Sequence, residues 1–280
     1  DNEKLPAALN SGLKVCKGKY ITWTSHDNYY STDAFIQFYT ALEKYPEVDF
    51  VYSSHKFFGD KNNIIEPKPK TIVDFILRFP GVCGFMWSKR ISDKVGLFDT
   101  NLNGIEDYDY WIRILLENPK FLGIQKILYN YNVHNNSMSS ELTKKNSYLD
   151  LDKKVAIKIK NKYPNMLDIN TFYPFLKYCY DTQAKSIAYY MLGLNIINTT
   201  RPGFKEIFHK EAINYFKKSY ELDNHFTPSI INIILCCKMN NENNDIYLKD
   251  IKWPAPSFSA HNSFITKNNI NIDKLFNEDI

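Results

Sequence analysis

Two short acidic clusters carry the residues best suited to chemistry in this sequence. Ser25-His26-Asp27-Asn28 follows an apolar stretch directly, and Glu106-Asp107 with Asp109 opens an amphipathic one. A further candidate, His134, comes after another apolar stretch, amid Asn135, Asn136 and Ser137. Carboxylates at the ends of adjacent α/β elements are how a sheet enzyme assembles a divalent cation and a base around a phosphorylated ligand. Each cluster also has an ordinary structural explanation. Asp27 can be a turn residue or a helix cap, and His26 and His134 can be loop histidines facing water. Glu106, Asp107 and Asp109 can complement the free N–H groups and dipole of a helix start, and Asp109 with Arg113 is an i, i+4 ion pair.

The elements that would position these residues alternate between helix and strand. Leu5, Leu9 and Leu13 recur at helical spacing, and Gly18 ends that stretch. A strand over Tyr20 to Thr24 runs into the first cluster. A helix from Asp33 to Lys44 and a strand from Asp49 to Ser54 complete an α/β unit. Lys56 to Lys70 reads as a loop, Thr71 to Phe79 as a short helix and Gly81 to Trp87 as a buried strand. The second acidic cluster starts a helix with Trp111, Ile114 and Leu115 on one face, and a last strand over Gln125 to Tyr131 leads to His134.

Beyond Thr143 the pattern turns to long helices with Lys-rich faces, which predicts an α/β domain over residues 1–142, a helical extension over 143–245 and a tail over 246–280. In the extension, Ala212, Phe216 and Ser219 have the small/aromatic/small spacing of a tetratricopeptide second helix, and Ala188, Tyr189 and Gly193 resemble the first. A plain helical hairpin fits equally. One repeat cannot bury its own face, so the extension is expected to pack on the catalytic domain or on a protein partner.

Composition narrows the function classes. With Lys+Arg 35 against Asp+Glu 31, the net charge of +4 is small for 280 residues and the basic residues are dispersed, so nucleic acid is not indicated. Five cysteines (Cys16, Cys83, Cys179, Cys236, Cys237) without a Cys-x-x-Cys pair point to reduced thiols rather than a disulfide framework or a zinc knuckle. No apolar run reaches the roughly 18 residues of a membrane span. The expectation is a cytoplasmic protein, with room for peripheral association at the inner face of a membrane.

In order, these segments resemble glycosyltransferase family 2, whose members have a GT-A fold and transfer sugars from nucleotide diphosphosugars. Asn10 to Leu13 with Lys17 to Asn28 is similar to the approach to the family's metal-binding Asp-x-Asp. Gly84 to Trp87 with Val95 to Asp99 resembles its acceptor-side segment. Glu106 to Arg113 resembles its Glu-Asp motif, and Tyr129 to Ser137 the strand closing the site. The resemblance implies a bacterial-type, partial GT-A (Rossmann-like) mixed sheet with flanking helices. The family's first strand and base-reading Asp would lie before Asp1.

The resemblance also implies roles. Asp27 matches the last Asp of Asp-x-Asp and would hold Mg²⁺ or Mn²⁺, with His134 a second ligand or phosphate contact. Asp107 matches the base that activates the acceptor hydroxyl, which implies inversion. Glu106, Trp111, Arg113, Gly84, Ser25 and Asn28 would lie on the substrate side. No Gln-x-x-Arg-Trp follows, which disfavours processive synthesis. Ser25 stands where many relatives carry an Asp. The implied partners are a nucleotide diphosphosugar donor and a saccharide or glycoconjugate acceptor, in surface polysaccharide or glycoconjugate assembly. The rival expectation is an inactive glycosyltransferase-like scaffold that binds a protein through its helices.

Overall fold

The computed structural model describes residues 3–66, 75–77, 81–118, 120–138, 140–141, 148–163, 168–173, 176, 178, 180–199, 201–226, 229–230 and 232–233. The chain divides into two compact units, one of Asp1–Leu167 with Thr200–Phe204 and one of Asp168–Thr199 with Lys205–Ile280. The first unit continues past the expected change at residue 142, because the helix α5 (Tyr148–Lys162) that follows belongs to it.

The first unit is α/β, as expected. It opens on α1 (Lys4–Val15), followed by the short strands β1 (Tyr20–Ile21) and β2 (Tyr29–Tyr30) and the helix α2 (Ala34–Lys44). The strands β3 (Phe50–Gly59), β4 (Ile64–Ile65) and β5 (Phe85–Ser88) lead to α3 (Lys89–Val95), α4 (Glu106–Glu117) and β6 (Phe121–Val133). The six-stranded sheet has the order β1-β5-β3-β6-β2, with β4 beside β3. β3 and β6 are parallel, and the other pairs are antiparallel.

β3 extends five residues beyond its expected end at Ser54, and β4 forms inside the segment expected to be a loop. The cause is pairing: β3 stays in register with β6 to Gly59↔Val133, and β4 pairs His55 and Lys56. Of the helix expected over Thr71 to Phe79, residues 75–77 are described and are helical.

One face of the sheet is covered by α2, whose Ala34, Phe38 and Leu42 are buried at i, i+4, i+8 against Val51, Met86 and Leu128. The other face receives Trp111 of α4, which sits among Phe50, Phe85 and Trp87 with ring centroids 4.9, 4.6 and 5.2 Å away. These large rings account for much of the apolar burial that fixes α4 on the sheet.

The second unit is helical among the described residues, with α6 (Ile169–Phe172), α7 (Thr182–Ile197) and most of α8 (Pro202–Leu222). α7 and α8 approach closely at Gly193, where a Cβ would lie 2.6 Å from the Phe216 ring. A buried hydroxyl chain joins them, with Ser186 Oγ and Ser219 Oγ 2.9 Å apart and Ser219 Oγ 2.6 Å from Ser229 Oγ. Ala188, Ala212, Phe216 and Ser219, picked out by their spacing, are all buried here. The expected tail at 246–280, and Cys179, Cys236 and Cys237, lie outside the described residues. Among the described residues no helix is long and apolar enough to cross a membrane.

Candidate active site

The first acidic cluster lies on the loop between β1 and β2. Thr22 Oγ1 donates to Phe85 O at 2.6 Å, which fixes the start of the loop on β5, and Asn28 N closes a turn on Ser25 O at 3.3 Å. The far wall is β6 and the residue that follows it, which grip the loop through three residues. Tyr129 Oη meets Thr24 Oγ1 at 2.8 Å, Asn132 N donates to Asn28 Oδ1 at 2.7 Å, and His134 Nε2 lies 2.9 Å from Asp27 Oδ2. His134 is steadied in turn, because its carbonyl accepts from Ser137 N at 3.2 Å and Ser140 Oγ at 3.0 Å. Asp27 and His134 are 107 residues apart in sequence and adjacent in space. His26 is exposed and lies on the lining of the cavity beside this loop.

The second cluster opens α4. Glu106 is buried and its Oε2 accepts from Gly104 N, which comes from a residue at φ 95°, where a side chain would be strained. Burial first, and the charge of Asp107 second, push the Glu106 carboxyl up to about 7. The Asp107 carboxyl is also raised by burial, although Tyr108 N donates to its Oδ1 at 2.7 Å and the charge of Arg201 opposes the shift. Two adjacent carboxyls with shared, elevated titration are suited to holding and moving a proton near neutral pH.

Both clusters face one cavity of about 540 Å³. Ser25, His26, Asp27, Asn28, Glu106, Asp107 and His134 all line it, so seven of the residues singled out by type and order come together. Leu5 and Leu9 of α1 contribute an apolar wall, with Trp23 and Phe85 beside them. α1 is held in place by Asn10, whose side chain makes paired hydrogen bonds of 2.9 and 2.8 Å with the backbone of Phe98.

Gly84, Trp111 and Arg113 are not among the lining residues, and each has a structural partner instead. A Cβ at Gly84 would lie 2.6 Å from Tyr129 Cβ and 2.8 Å from Ser53 Oγ, so glycine permits the close approach of β5 to its neighbours. Trp111 is enclosed by aromatic rings on the sheet. Arg113 is buried against Asp109 at 2.8 Å and donates to Val95 O and Leu97 O at 2.8 and 3.0 Å. The ion pair read at i, i+4 is real and tied to the core.

Tyr129 and Cys83 also line the cavity, and sequence reasoning did not single them out as site residues. Tyr129 is one of the aromatic residues of β6, with only its strand position to mark it. The Cys83 thiol is pushed up by burial and by the charge of Asp107.

An oxygen-rich divalent cation site needs few protein ligands when a diphosphate and water supply the rest. Asp27 and His134 fit that pattern as two ligands side by side. Among the described residues no cluster of three or more His, Cys, Asp or Glu could form an all-protein cage.

Residues 1–95 match the family described as Glycosyl transferase family 2. An uncharacterized glycosyltransferase of Rickettsia prowazekii (strain Madrid E) is 29% identical over 146 residues, covering 48% of this chain and 43% of the relative. One of Rickettsia typhi (strain ATCC VR-144 / Wilmington) is 28% identical over 146 residues, with the same coverage. The chain thus spans less than half the length of these relatives. Among solved structures, S. aureus TarS 1-349 in complex with UDP aligns with TM-score 0.46 and 12% identity, over 95% of this chain and 72% of that chain. On the family match and the sequence relatives together, the N-terminal α/β part of this chain is similar to glycosyl transferase family 2.

Proposed function

We propose that the cavity is the transfer site of a non-processive, inverting, metal-dependent glycosyltransferase that moves a sugar from a nucleotide diphosphosugar to an acceptor hydroxyl. The observation that carries this reading is the convergence of Asp27–His134 and Glu106–Asp107 on one cavity. Asp27 and His134 would hold Mg²⁺ or Mn²⁺. Such a cation, when bound, neutralises the charge that gathers on a departing diphosphate.

Asp107 is the base. It accepts the proton of the acceptor hydroxyl as that oxygen attacks the anomeric carbon, and a single displacement inverts the configuration there. Glu106, buried beside it, sets the proton affinity of the pair. Ser25 and Asn28 shape the donor side, and the apolar wall of Leu5, Leu9 and Trp23 keeps water from the reacting centre. The family match over residues 1–95 supports the donor class, and we propose that the reaction serves surface polysaccharide or glycoconjugate assembly at the cytoplasmic side of a membrane. The test is release of nucleoside diphosphate from a panel of nucleotide sugars with Mn²⁺, comparing wild type with Asp107→Asn.

A further inference from the structure

Trp23 lies on the loop that carries Asp27, and its backbone is pinned on both sides. Thr22 Oγ1 donates to Phe85 O at 2.6 Å, Tyr30 Oη donates to Trp23 O at 3.2 Å, and Thr24 Oγ1 meets Tyr129 Oη at 2.8 Å. The Trp23 ring packs edge-on against Phe85, with centroids 5.6 Å apart, and Phe85 in turn contacts Trp111 at 4.6 Å. Phe85 and Trp111 are buried, whereas Trp23 is half-buried and lines the cavity. It is the outer end of an aromatic row anchored in the core.

The indole Nε1 is enclosed, without a hydrogen-bond partner among the described residues. The part of the side chain left accessible is therefore carbon, so Trp23 offers a rigid apolar surface rather than a donor. A pyranose ring has a matching form, with a face of C–H groups and a rim of hydroxyls. The cavity supplies a counterpart to each: Trp23 on the apolar side, and Asp27, Glu106, Asp107 and His134 as hydrogen-bonding groups.

We propose that Trp23 is the sugar platform of the site: the C–H face of a pyranose stacks on the indole while the hydroxyls of its rim reach the polar groups of the cavity. The residue then discriminates among sugars by which hydroxyls project from that face, since a hydroxyl directed at the indole loses its water without gaining a partner. The pinned backbone and the Phe85 contact hold the platform in place before the sugar arrives, which spares the cost of ordering it on binding. The inference rests on the reading of the cavity as a transfer site. The same stacking serves a donor or an acceptor sugar, and the experiment separates the two.

The test reads Trp23 directly in the wild-type protein. The 280-residue chain is labelled with fluorotryptophan, and the Trp23 signal is identified by ¹⁹F NMR as the one lost in Trp23→Phe. With Mg²⁺ present, nucleoside diphosphates, the corresponding nucleotide sugars and neutral methyl pyranosides are titrated in separately. The Trp23 signal should shift saturably with at least one sugar-bearing probe and stay in place with the matching nucleoside diphosphate. A response to a nucleotide sugar marks a donor ring, and a response to a methyl pyranoside marks an acceptor ring. In transfer assays Trp23→Leu should raise KM for that sugar by about threefold or more, with Trp23→Tyr restoring most of the loss. A Trp23 signal unmoved by every sugar-bearing probe overturns the proposal, as does an equal shift with the nucleoside diphosphate alone, which would make the ring a base or phosphate contact. Failure of the transfer reading appears separately, as absence of diphosphate release by wild type even where the Trp23 signal responds to a sugar.

Discussion

His134 Nε2 lies 2.9 Å from Asp27 Oδ2, across a cavity wall formed by one loop and the end of one strand. Both residues line the cavity, so together they offer one carboxylate and one imidazole to an incoming cation. Asp27→Asn or His134→Gln should therefore weaken Mn²⁺ binding by more than about tenfold. Titration calorimetry with Mn²⁺ in the presence of a nucleoside diphosphate measures this. Unchanged binding in both variants would remove the pair from the metal site.

The loop bearing Asp27 is aligned by Tyr129 Oη on Thr24 Oγ1 at 2.8 Å. Tyr129→Phe keeps the ring, which packs at 4.7 Å from Tyr30, and deletes only the hydroxyl. Tyr129→Phe and Thr24→Val should each cost stability, with a coupling energy of about 0.5–1.5 kcal/mol in a double-mutant cycle by urea unfolding. Strict additivity would mean that the two hydroxyls do not interact.

Glu106 supplies a pH signature. Its folded-state value of about 7 lies above the ordinary 4.5. A carboxyl raised on folding favours the native state fully below its unfolded value and loses that contribution as pH climbs through the folded one. Relative to wild type, Glu106→Gln should gain stability between about pH 5 and about pH 8, read as the difference in urea midpoint. Turnover of wild type should rise with pH over the same range, as the pair ionises. A Glu106→Gln effect that is constant with pH would contradict the assignment.

Gly84 and Trp111 belong to the scaffold. Gly84→Ala drives a methyl into Tyr129 Cβ and Ser53 Oγ and should cost about 1–3 kcal/mol in denaturant unfolding. Trp111→Phe should also lower the unfolding midpoint while leaving KM for the donor unchanged. A large KM change with intact stability would return Trp111 to the substrate side.

Much of this arrangement was legible from residue type and order. α4 begins and ends at Glu106 and Glu117 as its apolar spacing requires, and the acidic residues at its start, Glu106 and Asp107, are the ones that face the cavity. The pairing of Asp27 with His134 is tertiary, and residue order supported it only through family resemblance. The length of β3 was not legible, because the polar residues near its end are kept extended by partners on β6 and β4. Trp111 and Arg113 sit beside the motif in sequence, but tertiary packing buries them, Trp111 among the aromatic rings of the sheet and Arg113 against Asp109. Tyr129 escaped notice because a strand tyrosine looks alike whether its hydroxyl faces water or a loop.

The most direct measurement is Mn²⁺-dependent release of nucleoside diphosphate from a panel of nucleotide sugars, by wild type and by Asp107→Asn at equal folded concentration. Wild type should turn over at least one donor, with Asp107→Asn slower by about 10²-fold or more. Equal rates for the two proteins, or no turnover by wild type on any donor, would contradict a transfer site built on Asp107.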